Sequence, residues 1–468
     1  MRTTCRVNVD IMPKLSYSTI VAPHILKVSF TMSSLFRSNT NFRNYLIAST
    51  LYGIGAGVFS IFMLWSIHDL HQSTLYTGLA GFLTAAPMVL SIVVGPLVDR
   101  WNKAKVLRLM CFIDLCVIAS VLAMSVFMTP NVWLLLAAVC IFSATKLFVN
   151  PAGVAILPQI IGADDLVKAN AFSQIFSLLG GLLVGVGLYI MMELGAAFSL
   201  VYAVNVVFML LALVVMQSVR SNEPPHPEKS TYFKEIREGF AFIKGVVLLP
   251  LMTAFIFLGF FSDMAYANIP MFAQTHFGAA TGYIILTALA LLGSLLGAAI
   301  AAFVESKYKV WVIFIFGFFL AGTARVLFVL ILPNSIAAGI AIYMVYVGLG
   351  SSAGIFFQSL LQRITPKHLT SRVLTIFVSL ISVAGAVGAV IGGILGMALT
   401  RCDCPAYVYP YVCESACNNG SDIVLMIQGA FYAVIGIFLL FSKRVRALPM
   451  MKDIAAAETA EPSDAKAV

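Results

Sequence analysis

Four charged side chains, Asp114, Lys146, Asp263 and Arg325, lie inside long apolar stretches of the chain. A charge in hydrocarbon is costly, so each marks an ion pair, a proton carrier or a ligand contact. Counting about 1.5 Å per residue along a helix puts Asp114 and Lys146 at similar depth. The same count puts Asp263 and Arg325 at matching depth nearer the other side. Either couple can form a buried ion pair, and Asp263 can alternatively gain and lose a proton. No Ser-His, Cys-His or His-rich grouping at plausible spacing accompanies them. Hydrolase and metalloenzyme chemistry is thereby excluded, and neither a metal nor another cofactor is expected. His68, His71 and His276 fall at the ends of apolar stretches, where solvation is expected.

The elements that hold these charges are long. Hydrophobic residues make up 60% of the 468-residue chain and charged residues 10%, far from soluble-domain composition. Twelve apolar runs are centred near residues 55, 87, 117, 141, 180, 207, 258, 292, 320, 347, 385 and 432. Each approaches the roughly 20 residues that a spanning helix needs. Continuous apolar runs in lipid must be helices, because a barrel strand alternates. An all-α integral membrane fold of twelve spans follows.

The chain also repeats itself. Gln159 corresponds to Gln362, Ile161 to Ile364, Leu166 to Leu369 and Gly185 to Gly388, all at an offset of 203. Thr77-Gly78 and Thr281-Gly282 each open an apolar run that ends in an acid before a base, Asp99 with Lys103 and Glu305 with Lys309. Two pseudo-symmetric six-helix bundles are expected, at 43–219 and 246–442. They are flanked by an extension at 1–42, a linker at 220–245 and a tail at 443–468. Repeats of this size are how many membrane carriers are built, with the substrate between the halves. Met32 is an alternative translation start within the extension. In the linker, Phe233, Ile236, Phe240 and Ile243 recur at helical spacing opposite Lys234, Glu235, Arg237 and Glu238, the pattern of an interfacial amphipathic helix.

With both termini on one side, that side holds every Lys and Arg except Arg401 on the other side and Lys146 and Arg325 within spans. The bias places both termini in the cytoplasm. The net charge of +9 then reflects membrane edges and needs no nucleic-acid partner.

Between the second and third spans stands Gly95-Pro96-Leu97-Val98-Asp99-Arg100-Trp101-Asn102-Lys103-Ala104-Lys105. This loop resembles the signature of the major facilitator superfamily, Gly-x-x-x-Asp-Arg/Lys-x-Gly-Arg/Lys. Asn102 replaces the usual Gly, and Asn tolerates the left-handed backbone that Gly would adopt. The resemblance implies a conformational latch formed by Gly95, Asp99, Arg100 and Lys103. The stretches Asn41–Leu46, Asn150-Pro151 through Pro158, and Glu235–Phe242 are similar to the macrolide-efflux and enterobactin-exporter branch. Together they extend the likeness over residues 41–445. Leu166–Asn170 is also similar to lysophospholipid transporters, the alternative within the same fold. A membrane receptor without transport is the alternative of a different class.

That resemblance implies a monomeric secondary transporter, not an enzyme, working by alternating access in a bacterial inner membrane. Its expected partners are a small-molecule substrate, protons and the lipid bilayer, and its expected action is proton-coupled efflux of a drug-like or siderophore-like amphipathic compound. In the family the first, fourth, seventh and tenth spans line the cavity. Lys146 and Asp263 therefore face it, and Asp263, the only acid in those spans, is the candidate for proton coupling. Tyr52, Trp65, Asn150, Asn268, Tyr343, Tyr346 and Gln358 complete the expected lining.

Gly181 and Gly185, and Gly388 and Gly392, make small-xxx-small faces. These suit either a moving seam between the halves or static packing. Cys402, Cys404, Cys413 and Cys417 crowd the last outer loop, where disulfides in any of three connectivities are expected. Cys111, Cys116 and Cys140 lie within spans as small hydrophobes.

Overall fold

The computed structural model describes residues 36, 39–91, 94, 97–98, 100–128, 130–161, 166–221, 249–278, 280–304, 308–365, 370–402, 417–418 and 420–446. The first half holds α1 (Thr40–His71), α2 (Thr74–Ala85, prolonged by a 3-10 turn Ala86–Leu90), α3 (Lys103–Phe127), α4 (Val132–Ile160), α5 (Leu166–Glu193) and α6 (Phe198–Met216). The second holds α7 (Leu249–Tyr266), α8 (Ile269–Phe277), α9 (Ala280–Val304), α10 (Val310–Ile331), α11 (Ile336–Ile364), α12 (Thr370–Leu399), α13 (Gly420–Phe441) and the single turn α14 (Lys443–Arg446). Eleven described helices are long and apolar enough to cross a membrane, and Thr74–Leu90 is a shorter apolar stretch. Two expected spans are therefore interrupted. The second tightens into a 3-10 turn at Pro87. The seventh breaks after Tyr266, because Pro270 has no N–H to give the Tyr266 carbonyl.

Packing repeats between the halves. Within the first, α1 meets α5 and α6, α3 meets α4 and α6, and α2 meets α4. Within the second the same five partnerships recur as α7 with α12 and α13, α10 with α11 and α13, and α9 with α11. Two long seams join the halves, α2 against α12 and α5 against α9. Advancing each helix by one half-molecule turns one seam into the other, which is a two-fold relation.

Helix ends at the basic face are tied by asparagines. Asn39 caps α1 by accepting from the Phe42 N–H at 2.9 Å and donates to the Ile160 carbonyl at 3.1 Å, joining the start of α1 to the end of α4. Asn41 exchanges two hydrogen bonds with the Arg220 backbone just past α6.

Asn102 departs from the expected left-handed turn. Its backbone is extended, with φ −65° and ψ 115°, and its side chain caps α3 by accepting from the Lys105 N–H at 3.0 Å. The Ser221 hydroxyl also donates to it at 2.9 Å. Asn is among the best N-cap residues, so the substitution serves a cap instead of a left-handed turn. Asn102→Ala should cost about 1 kcal/mol, and Asn102→Gly only a few tenths. Thermal melting of the purified variants checks that order.

Candidate substrate cavity

A cavity lies where α1, α2 and α4 face α7. Its wall is mostly apolar, with Phe59, Met63 and Phe142 from the first half and Tyr266 from the second. Lys146 is the charged residue in that lining, which also includes Ser60, Thr84 and Ser143. Helical geometry explains the arrangement: Phe142 precedes Lys146 by one turn, so both share a face of α4. The ammonium sits 4.6 Å from the Phe142 ring centroid, and that ring packs 4.2 Å from Phe59.

The expected Asp114–Lys146 ion pair is absent. Asp114 is fully buried, and its carboxylate accepts from the hydroxyls of Tyr52 and Thr145, both at 2.7 Å. Two neutral donors thus satisfy the acid and leave Lys146 to the cavity. Tyr52 consequently lies on a smaller pocket inside the first bundle, together with Tyr45, Leu107 and Met216, rather than on the central one.

Asp263 and Arg325 do not pair either. Arg325 is 2% exposed and lies over aromatic rings, with its guanidinium carbon 4.8 Å from Tyr346, 5.5 Å from Phe328 and 5.8 Å from Tyr343. Cation–π attraction is the compensation available to it there. Tyr343 and Tyr346 therefore serve this cage, and Gln428 donates to the Tyr346 hydroxyl at 2.9 Å. Asp263, part-buried on α7, presses its carboxylate against Gly385 of α12. Among the described residues no side chain hydrogen-bonds it.

The cavity is shut at the face away from the basic loops. Thr74 donates to the Gly393 carbonyl at 2.9 Å and Thr77 to the Ala267 carbonyl at 2.6 Å, both across the halves. His68 meets Gln274 at 2.5 Å, and Trp65 stacks 6.0 Å from Tyr283. Trp65 is thus part of this closure. His68 is fully buried, against the expectation of solvation, because it lies in the interface. His276 is also engaged, 3.0 Å from the Asp422 carboxylate.

Asn268 is a clamp instead of a lining residue. Fully buried at the break between α7 and α8, it donates to the Met264 carbonyl at 3.0 Å and the Gly392 carbonyl at 2.9 Å. Asn150 and Gln358 are exposed in the halves of α4 and α11 nearer the basic face.

The glycine faces divide in two. Gly181 and Gly185 meet Leu291 and Ala288 of α9 across the halves. Gly388 and Gly392 instead press on the Phe260 and Met264 carbonyls of α7, within their own half. The glycines of α12 that face the other half are Gly393 and, beside Thr74, Gly396.

In the signature loop, Gly95 and Asp99 lie outside the described residues. Arg100 is exposed. Lys103 is 2% exposed and its ammonium donates to the carbonyls of Val98 at 2.9 Å and Trp101 at 3.0 Å, folding onto its own loop. The amphipathic linker helix, Cys404 and Cys413 also lie outside the described residues. Cys111 is buried, Cys140 part-buried and Cys116 exposed.

The Major Facilitator Superfamily model matches residues 45–399, most of the chain. This chain belongs to that superfamily. Among curated Major Facilitator Superfamily relatives, the enterobactin exporter EntS of Salmonella paratyphi A is 26% identical over 389 residues, covering 78% of this chain and 88% of that protein. The EntS of Escherichia coli O1:K1 is 24% identical over the same length and coverage. The solved nucleoside transporter NupG superposes with a TM-score of 0.66 at 11% identity, covering 86% of this chain and 98% of that one. A bacterial homologue of the human lysosomal transporter Spinster, in its inward-facing and unoccupied conformation, gives 0.66 at 14% identity, covering 89% and 99%. These likenesses establish the superfamily fold. They agree with an integral, multi-pass transporter and not with an enzyme.

Three features of the site were not read from the sequence. These are Tyr266, the cross-half bonds of Thr74 and Thr77, and the approach of Gly78 to the Gly393 backbone; Thr77-Gly78 marked the repeat but not the helix it would meet. Phe142 was missed as well, although its place four residues before Lys146 sets both on one helix face.

Proposed function

We propose that this Major Facilitator Superfamily protein is a secondary transporter that works by alternating access and exports a small amphipathic compound in exchange for protons. The carrying observation is geometric: two seams related by a two-fold axis hold the halves together, and the cavity between them is shut at one face by Thr74, Thr77, His68 and Trp65. Rocking about those seams exchanges which end is open, which is how such two-halved carriers operate. With the basic loops in the cytoplasm, this state faces inward and both termini are cytoplasmic. The exporter names of the curated relatives support the outward direction and a siderophore-like cargo.

The decisive experiment uses purified protein in proteoliposomes with an imposed pH gradient and labelled siderophore, macrolide and lysophospholipid. Saturable flux of one amphipathic compound, lost when a protonophore collapses the gradient, is the expected result. A protein that binds these compounds yet moves none is a receptor.

The last loop offers a test of sidedness. The two-residue strands β1 (Arg401–Cys402) and β2 (Cys417–Asn418) pair antiparallel with Cys402 opposite Cys417. Opposed residues in such a ladder have Cα atoms about 4.5–5.5 Å apart, within the range of a disulfide. A Cys402–Cys417 bridge is expected if this loop faces the oxidising side. Non-reducing peptide mapping should recover the two linked. Free thiols at both positions in protein from intact cells would put the loop on the reducing side.

A further inference from the structure

We infer that the central cavity selects small aromatic organic anions, which bind by a carboxylate-like group on Lys146 and a ring laid against Tyr266. The inference deepens the transporter reading by naming the chemical class of its cargo.

Charge balance is the first argument. Lys146 carries the charge in the described lining, and among the described residues it forms no ion pair. The nearest acid, Asp114, feels its charge but is already satisfied by Tyr52 and Thr145 at 2.7 Å. A cation held in a mostly apolar chamber gains most from an incoming anion, because the low dielectric strengthens their attraction. An anion there would give Lys146 the direct partner that Asp114 does not supply, whereas a cationic ligand would be repelled.

The shape of the site is the second. Phe59 and Phe142 pack at 4.2 Å with an interplanar angle of 32°, and the ammonium rests 4.6 Å from the Phe142 centroid. With those two rings packed on each other, a flat ligand ring can rest on Tyr266 of the other half, which is 40% exposed, while its acid group reaches Nζ. Ser60 and Ser143 line the same space and can donate to the second oxygen, while the Thr84 hydroxyl is already given to the Ala80 carbonyl at 2.8 Å. Because Tyr266 belongs to α7 and Lys146 to α4, such a ligand touches both halves at once.

The test compares 2-naphthoate with its uncharged isostere 2-naphthamide, measured by equilibrium dialysis on the purified full-length protein. Naphthoate should bind about tenfold more tightly, the scale of one charge-assisted hydrogen bond. Lys146→Met should abolish that preference while leaving amide binding, and Lys146→Arg should retain it. Equal binding of acid and amide by the unaltered protein, or binding of neither, overturns the inference. So does a Lys146→Met variant that still prefers the acid. Because no flux is measured, the result is independent of alternating access: a preference without transport removes only the transporter reading, and transport without a preference removes only this one.

Discussion

Leucine in place of Gly78 should leave the protein folded and inserted but close to inert in transport. A Cβ at Gly78 would lie 2.6 Å from the Ala389 carbonyl oxygen and 2.9 Å from the Gly393 Cα. Both are backbone atoms of α12, so no side chain can swing aside. The variant must hold α2 off α12, and the Thr74 and Thr77 bonds to Gly393 and Ala267 are lost with the separation. Each half keeps its internal partners, since α2 still packs on α4 and α12 on α7. Biasing such an equilibrium by about 1–3 kcal/mol changes its populations roughly 5–150-fold. Flux in proteoliposomes should fall by that order while gel filtration remains unchanged. Gly187→Leu is the control, because nothing lies within 4 Å of a Cβ there. Wild-type flux through Gly78→Leu would show that this seam need not close during transport.

The second large effect is expected at Asp263. Asparagine keeps the shape of the side chain and removes its proton chemistry, so Asp263→Asn should reduce pH-driven flux to the level of empty vesicles. Exchange of cargo between the two sides without a gradient should persist, because it needs rocking but no net proton movement. The surroundings sharpen the test. Asp263 has no hydrogen-bonding side chain among the described residues and rests against Gly385, so Gly385→Ala should displace the carboxylate and mimic the loss. Undiminished pH-driven flux through Asp263→Asn would move proton coupling to another group. Because the Asp263–Arg325 pair is not formed, Asp263→Asn should not uncage Arg325, and the melting temperature should hold.

The spans and the two-fold repeat were legible because both are one-dimensional signals: apolar length and a fixed offset survive without any knowledge of packing. The ion pairs were not. Counting residues fixes how deep Asp114 and Lys146 sit, but each successive residue turns about 100° around its helix, and depth says nothing of that angle. Tyr52 and Thr145 reach Asp114 first. The same gap hid the roles of Asn268 and of Gly388 and Gly392, whose spacing predicts close approach without naming the helix approached. Asn102 was misread for another reason. Set against a motif that usually has Gly, it suggests a left-handed turn; set against Lys103 as the first residue of a helix, it is an ordinary N-cap.

Helix α12 bears on two neighbours through bare backbone. Gly385, Gly388 and Gly392 meet α7, while Gly393 meets α2. What remains is an outward stripe of Val383, Val387, Ile391 and Ile394, each more than a third exposed. Evolutionary drift along this segment is therefore channelled onto that stripe, where bulk changes only the fit to surrounding lipid. A codon gaining volume on either glycine track would be purged, whatever cargo the descendant carries.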